Sequence, residues 1–69
     1  MPTINTMELE GISEKSWGEA AREALREAAR TIRHINKLEV LGTSTEVDGD
    51  QVVRYRTQVR LYFEVESDR

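Results

Sequence analysis

The chain has 69 residues, a formal net charge of −3 and no cysteine. This length corresponds to a single domain, residues 1–69, and a monomer of that size buries only about 60% of its unfolded surface, so we expect oligomerisation to add stability. The lack of cysteine excludes disulfides and thiolate metal sites, and the acidic balance argues against a nucleic-acid-binding protein, which needs a basic face.

Composition and motifs exclude two further classes of protein. No apolar run approaches the roughly 20 residues that cross a bilayer, and the first ten residues, MPTINTMELE, lack the charged and apolar blocks of a signal peptide. We therefore expect a soluble, cytoplasmic protein. Because the sequence has no Gly-rich phosphate loop, no metal motif and no nucleophile and base at a recognisable spacing, we predict no enzymatic activity.

The first predicted element is an edge strand over residues 3–10, in which apolar and polar residues alternate weakly. We expect Gly11 to end this strand. One side of it carries Asn5, Met7 and Leu9, and the other carries Ile4, Thr6, Glu8 and Glu10.

An amphipathic helix follows, and its apolar stripe is the clearest pattern in the chain. The stripe consists of Trp17, Ala20, Ala21, Ala24, Leu25, Ala28, Ala29 and Ile32. Because five of these eight residues are alanines, the helix can approach the sheet closely, and the sheet must supply the large side chains. Ser16 is preferred over Ser13 as the cap, since Ser16 and Glu19 fit the capping box.

Three features of this helix bear on function. Trp17 lies on the core stripe, so we predict a packing role for it rather than contact with a ligand. His34 is predicted in the last helical turn, where the helix dipole favours a partly positive imidazole, and one histidine without cysteine does not predict a zinc site. The outer face indicates solvated ion pairs at a spacing of three residues. These pairs are Glu19 with Arg22, Glu23 with Arg26, and Glu27 with Arg30.

The second strand is predicted over residues 37–47, and Asp48-Gly49 predicts a tight hairpin turn after it. If these two residues are the whole loop, Leu38 lies opposite Val59 and Val40 lies two positions further along the same face. Both side chains then enter the core. A three-residue loop would reverse the faces.

Residues 51–66, QVVRYRTQVRLYFEVE, alternate apolar and polar side chains over an unusual length. A flat strand of this length would span roughly 50 Å, whereas a compact chain of this size should be about 25 to 30 Å across. The strand must therefore curl strongly, or its ends must lie on another subunit. The predicted fold class is α+β, a β-α-β-β subunit with a three-stranded, mainly antiparallel curved sheet wrapped around one amphipathic helix.

The face of the sheet turned away from the helix is predicted to be polar and rich in Lys and Arg, and it is either solvated or an interface. It carries Lys37, Glu39, Arg54, Arg56, Gln58, Arg60 and Tyr62. Several acidic residues could meet a divalent cation between subunits, although ordinary turn and surface roles are expected because a calcium site needs six or more converging oxygens. They are Asp48, Asp50, Glu64, Glu66 and Asp68.

Taken together, these segments resemble the dodecins, a family of small flavin-binding proteins that assemble as hollow spherical homododecamers. MELEGIS is similar to the family's first strand and its entry into the helix, and SWGEAAREALREAARTIRHI to its helix. LEV is similar to the start of its second strand, and VVRYRTQVRLYFEVE to its long final strand. The resemblance implies a homododecamer that binds, stores or buffers a flavin (FMN, FAD or riboflavin) at subunit interfaces.

The resemblance also implies where the flavin would bind. In flavin-binding dodecins a tryptophan at the start of the second strand stacks on the isoalloxazine ring, and a glutamine in the third strand hydrogen-bonds it. Lys37 and Arg56 hold those places here; a lysine has no flat π-face, whereas a guanidinium can donate hydrogen bonds and stack. The candidate cofactor-binding residues are Lys37, Arg56, Gln58 and Glu39. The alternative is a structural dodecamer without flavin that binds another anionic ligand or an ion through its Lys/Arg-rich face.

Overall fold

The computed structural model describes residues 2–66, which form one helix and three strands. Strand β1 spans Pro2–Ser13, helix α1 Trp17–Ala29, strand β2 Ile35–Asp48 and strand β3 Gln51–Glu66. The strands form one antiparallel sheet in the order β1-β3-β2, so β3 is central and the other two are edge strands. The predicted α+β class and β-α-β-β order are confirmed.

Strand β1 does not end at Gly11 as predicted; it continues through this residue, which pairs with Thr57 of β3. The residue is a glycine because it lies directly under the helix. A Cβ atom at this position would lie 1.8 Å from the carbonyl oxygen of Ala20. The glycine therefore allows the close approach of β1 and α1, and it does not mark a turn.

Helix α1 begins where the sequence predicts. Ser16 is the cap, and its hydroxyl accepts a hydrogen bond from the backbone N–H of Glu19 at 3.0 Å. The second half of the capping box is replaced, because the Glu19 carboxylate accepts from Arg22 at 3.2 Å. The three predicted ion pairs of the outer face are all present.

The apolar stripe of α1 is narrower in the structure than in the sequence. Ala20, Ala24 and Ala28 are buried against the sheet. Trp17, predicted on this stripe, is 44% exposed at the helix start. Its ring packs edge to face on Tyr55, with 5.2 Å between the ring centroids, and its indole N–H donates to the carbonyl oxygen of Ser44 at 3.0 Å. Trp17 therefore joins the helix to the sheet at the margin of the core.

The helix ends at Ala29, earlier than the stripe suggests, so the prediction that His34 lies in its last turn is wrong. Backbone hydrogen bonds from Thr31 and Ile32 to the carbonyl of Ala28 close the last turn. His34 lies in the connection to β2 with φ of 63°. Such a left-handed conformation is uncommon for a residue with a Cβ atom.

The tight turn between β2 and β3 is confirmed, but its position differs by one residue. Asp48 pairs with Gln51, so the two loop residues are Gly49 and Asp50. Gly49 has φ of 68°, the left-handed conformation that glycine adopts without steric cost.

The register of the hairpin also differs from the prediction. Leu38 lies opposite Leu61 and Val40 opposite Val59, two positions from the predicted pairing. An even displacement keeps the same side chains on the same face. Irregularities interrupt the ladder at three places, and one of them lies between Val40 and Gly42, where Leu41 has no partner.

The core lies between α1 and the sheet, mainly against β1 and β3, with the first residues of β2 at its margin. Its buried residues are Ala24, Ala28, Val59 and Leu61, with Met7, Leu9, Ala21, Leu25, Ile32, Ile35 and Leu38 packed around them. The predicted burial of Val40 is wrong, since its side chain is 53% exposed. Helix α1 contacts β2 least of the three strands, so this part of β2 remains uncovered.

The molecule is much longer than a compact chain of this size. Its principal extents are 56 × 19 × 12 Å and its Cα radius of gyration is 14.5 Å, against about 11 Å expected for a compact domain. Both ends of the sheet thus extend beyond the 13-residue helix. The long axis is close to the roughly 50 Å of a flat strand and not to the 25 to 30 Å of a compact chain. Within residues 2–66, no helix has the length and apolar character needed to cross a bilayer.

Candidate ligand-binding face

The face of the sheet turned away from α1, hereafter the uncovered face, carries all four candidate cofactor-binding residues. On β3 the side chains of Thr57, Val59 and Leu61 are buried under the helix. The alternate residues of a strand point to the opposite side, which places Arg56 and Gln58 on the uncovered face. Lys37 and Glu39 of β2 join them, as their contacts with Tyr62 show.

Four residues near the hairpin end of this face form one ion-pair group, hereafter the Arg56 cluster. Arg56 donates to Glu10 on β1 at 3.0 Å and to Glu46 on β2, and Arg54 donates to Glu46 at 2.7 Å. The cluster therefore ties all three strands together. Hydrogen bonds from Arg54 and Arg56 lower the pKa of Glu46, and the carboxylates of Glu10 and Glu46 raise the pKa of Arg56.

A second group, the Arg60 cluster, crosses the sheet further along β3. Arg60 donates to Glu8 on β1 at 2.9 Å and to Glu39 on β2 at 3.4 Å. The hydroxyl of Tyr62 donates to the same Glu39 at 2.8 Å, and the ammonium of Lys37 lies 4.7 Å from the centre of the Tyr62 ring. The hydrogen bond to Glu8 is the main cause that raises the pKa of Arg60.

Gln58 lies between the two clusters, beside a shallow concavity of about 280 Å³. The concavity is lined by Glu8, Leu9, Glu10, Leu41, Gln58 and Val59. It offers an amide that both donates and accepts, two carboxylates that accept, and the apolar side chain of Leu41. These groups match a flat, polar-edged molecule held at the surface of the sheet. The side chains of Leu9 and Val59, which also line the concavity, pack in the core on the helix side.

Two local features of β2 shape this concavity. Leu41 has no partner on β3 because the register shifts at this point, and its side chain reaches the uncovered face. Gly42, the next residue, pairs with Gln58, and a Cβ atom on Gly42 would lie 3.5 Å from the amide oxygen of Gln58. The absence of a side chain at Gly42 thus leaves open space next to this amide.

The four predicted site residues share the uncovered face but do not form one group. Lys37 and Glu39 belong to the Arg60 cluster, Arg56 belongs to the other cluster, and Gln58 alone lines the concavity. Sequence reasoning missed Glu8, Glu10, Glu46 and Leu41. The alternation of β1 already places Glu8 and Glu10 on the same side of that strand. They meet the arginines only because β1 pairs with β3, and the sequence does not specify that strand order.

Because the glutamates of β1 lie here, the uncovered face is not simply Lys/Arg-rich as predicted. Each of its three arginines contacts at least one carboxylate. No group of three or more His, Asp or Glu side chains that could hold a metal ion occurs within residues 2–66. Of the acidic residues considered for a shared cation, Asp68 lies outside the described segment.

Comparison with protein families matches residues 3–66 to the model described as Dodecin. The chain belongs to the dodecin family. Solved dodecin structures have the same fold over almost the whole chain. The dodecin of Streptomyces coelicolor is 25% identical and superposes with a TM-score of 0.92, with 97% of this chain and 96% of the other covered.

Two further structures give the same result. The tt0972 protein of Thermus thermophilus is 27% identical, with a TM-score of 0.91 and coverage of 97% of this chain and 98% of the other. A dodecin from Streptomyces davaonensis, 17% identical with a TM-score of 0.90, covers 96% of this chain and 97% of its own and shows the shared fold alone. Comparison with curated proteins found no match.

The described residues of this dodecin fit one part of a flavin and not another. The Gln58 amide and the carboxylates of the concavity suit the N–H and carbonyl groups of an isoalloxazine edge, and Leu41 gives an apolar contact for its ring. No aromatic side chain lines the described concavity. The ring of Tyr62 is occupied by Lys37, and Trp17 packs on Tyr55 at the helix side of the sheet. The described concavity therefore offers hydrogen-bonding groups to a flavin edge but no aromatic ring on which the flavin could stack.

Proposed function

We propose that this protein is a non-catalytic, cytoplasmic homododecamer, a hollow shell that binds and stores or buffers a small cofactor of the flavin class where its subunits meet. The observation that carries the proposal is the combination of the dodecin fold with a molecule 56 Å long whose sheet is covered only in part by one short helix. Large apolar side chains stay exposed beyond the helix, including Ile4, Val47, Val52 and Val65. Association of subunits would bury them.

The ligand site in this proposal is the concavity around Gln58, with Lys37, Glu39 and Arg56 on the same face. Gln58 is the direct hydrogen-bonding residue. Arg56 holds the carboxylate of Glu10 on one side, and Arg60, which also donates to Glu39, holds the carboxylate of Glu8 on the other. At about 280 Å³ the concavity is at the lower end of the range for ligand pockets. A second subunit facing it would complete the enclosure.

The alternative is a structural dodecamer without flavin that holds an anionic ligand or an ion through basic residues. Its weakness lies in the ion pairs. Arg54, Arg56 and Arg60 all donate to carboxylates of the same chain, so their charge is largely compensated. A purely structural role for these ion pairs remains consistent with the geometry, since they connect all three strands.

The decisive experiment measures absolute mass in solution together with the visible spectrum of freshly purified protein. The proposal expects a mass of twelve chains, and quenching of riboflavin or FMN fluorescence on titration. A variant Gln58→Ala should lose the quenching while keeping the mass, with Gln51→Ala, an exposed glutamine at the hairpin end, as its control. A shell of twelve chains that quenches neither flavin would instead support the structural alternative, and a monomeric chain would overturn both.

A further inference from the structure

The turn between β2 and β3 contains the dipeptide Asp48-Gly49, in which a carboxyl group lies next to the backbone nitrogen of a residue without a side chain. Asp48 is the last residue of β2 and pairs with Gln51, and Gly49 is the first of the two loop residues. Both Asp48 and Gly49 are exposed to solvent. The side chain and the neighbouring nitrogen are therefore placed so that they could close a five-membered ring.

The backbone nitrogen of Gly49 is accessible. A Cβ atom built on this glycine would have no atom within 4 Å apart from those of its chain neighbours, so water reaches the turn. Among the turn and loop hydrogen bonds of residues 2–66, none is donated by the Gly49 N–H. The nitrogen is thus available to lose its proton and act as a nucleophile.

The carboxyl group of Asp48 is not held by other side chains. Glu46, two residues earlier, is fixed by Arg54 and Arg56. In the described part of the chain, no ion pair or side-chain hydrogen bond involves the Asp48 carboxylate. Such a side chain rotates among its staggered positions, and rotation brings its Cγ atom towards the nitrogen of Gly49.

We infer that Asp48 is a site of spontaneous backbone isomerisation, in which the aspartate is converted to isoaspartate. The nitrogen of Gly49 attacks Cγ of the protonated Asp48 carboxyl group, an N–Cγ bond forms, and a C–O bond breaks with release of one water. One water then adds to the resulting succinimide. Addition at Cγ restores aspartate, whereas addition at the backbone carbonyl carbon leaves the main chain running through the side chain. The mass of the chain is unchanged, and the reaction needs no oxidant, metal, ligand or second subunit.

The product changes the backbone at the point where the register of the hairpin is set. Isoaspartate adds one carbon atom to the main chain and moves the carboxylate to the α-carbon, next to the cross-strand pair of Val47 and Val52. The register of a hairpin depends on the length and type of its loop. Isomerisation of Asp48 therefore loosens the end of the hairpin, and the altered fraction increases with the age of the protein.

Asp50 is a control within the same turn. It is exposed like Asp48, but the residue after it is Gln51, which carries a side chain and pairs with Asp48 at the start of β3. We expect isoaspartate to form about tenfold faster at position 48 than at position 50, which corresponds to a difference of about 1.4 kcal/mol in activation free energy.

The test incubates the full-length protein in its native assembly at neutral pH, below its unfolding temperature, and digests samples with trypsin at intervals. Cleavage after Lys37 and Arg54 releases residues 38–54, which contain both aspartates. Chromatography separates the isoaspartyl peptide from the parent peptide of equal mass, and electron-transfer fragmentation in a mass spectrometer assigns the altered position.

Two variants at the same position check the chemistry. Asp48→Glu keeps the charge and should abolish the product, because the longer side chain would have to close a six-membered ring. Asp48→Asn should form isoaspartate faster than the unaltered protein, because ammonia leaves in place of water.

Each outcome decides the inference. Isoaspartate that accumulates at position 48 of the folded protein, and disappears in Asp48→Glu, supports it. Equal rates at positions 48 and 50, or no product at either, overturn it. Isoaspartate that forms at position 48 only in the urea-unfolded chain also overturns it, because the fold would then protect the turn.

Discussion

Gly11 shows how a single position fixes the distance between helix and sheet. A Cβ atom there would lie 1.8 Å from the carbonyl oxygen of Ala20 and 2.8 Å from its carbonyl carbon, both backbone atoms that cannot rotate away. We expect Gly11→Ala to lower the free energy of unfolding by about 1–3 kcal/mol or more, as overpacking does. Urea denaturation followed by circular dichroism measures this loss.

The matched control is Gly18→Ala in the first turn of α1. Its added Cβ would have as its nearest neighbour the Ser16 hydroxyl oxygen at 3.9 Å, an ordinary contact, and alanine is favoured over glycine inside a helix by up to about 1 kcal/mol. This variant should be as stable as the unaltered protein or more stable. Equal denaturation midpoints for the two variants would mean that Gly11 is not a packing constraint.

His34 is a second position where the backbone restricts the residue type. Its φ of 63° is left-handed, and its carbonyl accepts a hydrogen bond from the backbone N–H of Glu64 at 3.3 Å, which helps hold the conformation. A β-branched residue is strongly disfavoured there, so we expect His34→Val to cost about 1–2 kcal/mol of stability. His34→Gly should be neutral or stabilising. Thermal unfolding of His34→Val and His34→Gly measures these two effects. Arg33→Val, at the exposed neighbouring position, is the control for adding a β-branched residue.

At the scale of elements, hydrophobic periodicity predicts most of the fold. It finds the helix stripe and the two faces of β3, because both depend on local geometry that repeats along the chain. It does not find that β1 continues through Gly11 or that Leu41 is unpaired. Each of these depends on where another element lies, the helix over β1 in one case and the strand register in the other. The same limit explains why Val40 was expected in the core.

The Arg56 cluster makes the stability of the sheet depend on pH. Arg54 and Arg56 lower the pKa of Glu46 below its ordinary value of 4.5, so the folded state favours the ionised carboxylate. A carboxylate with a lowered pKa stabilises the protein above its unfolded pKa, and this contribution is lost as the pH falls from about 4.5 toward the folded pKa. Replacing Glu46 by glutamine should therefore lower the stability of the protein at pH 7 and lower it less in acid.

Denaturation midpoints of the unaltered protein and Glu46→Gln at pH 7 and pH 3.5 measure the effect. The difference between the two proteins should be largest at pH 7 and should shrink at pH 3.5. Glu23→Gln on the outer face of α1, where the side chain forms an exposed pair with Arg26, serves as the reference for a simple loss of charge. If the difference in midpoint between the unaltered protein and Glu46→Gln is the same at both pH values, the ionised Glu46 carboxylate does not contribute the predicted stability.

At the scale of the whole molecule, the candidate site depends on contacts that no local pattern contains. The sequence places Lys37, Glu39, Arg56 and Gln58 on one face because alternation is local. It does not reveal that the glutamates of β1 lie beside the arginines of β3, which follows from the strand order. A face predicted to attract anions is for this reason nearly neutral, with a concavity of acidic character at its centre.

The hairpin end gives the clearest test of assembly. Val47 and Val52 form a cross-strand pair whose side chains are 60% and 50% exposed, well beyond the end of the helix. An isolated chain would leave this apolar pair in water, whereas contact between subunits would bury it and contribute about 25 cal/mol for each Å² removed from solvent. We expect Val52→Asp to reduce the mass in solution below that of the proposed twelve-chain shell, because a buried unpaired carboxylate is costly.

The control for this prediction is Gln51→Asp, which introduces the same charge at the adjacent exposed position. It should assemble normally, and light scattering measures both variants at equal protein concentration. Circular dichroism separates a loss of assembly from a loss of folding, since neither valine belongs to the core that packs under α1. If Val52→Asp retains the full mass, the hairpin end is not part of a subunit contact, and the exposed apolar residues at the other end of the sheet, Ile4 and Val65, become the place where association must occur.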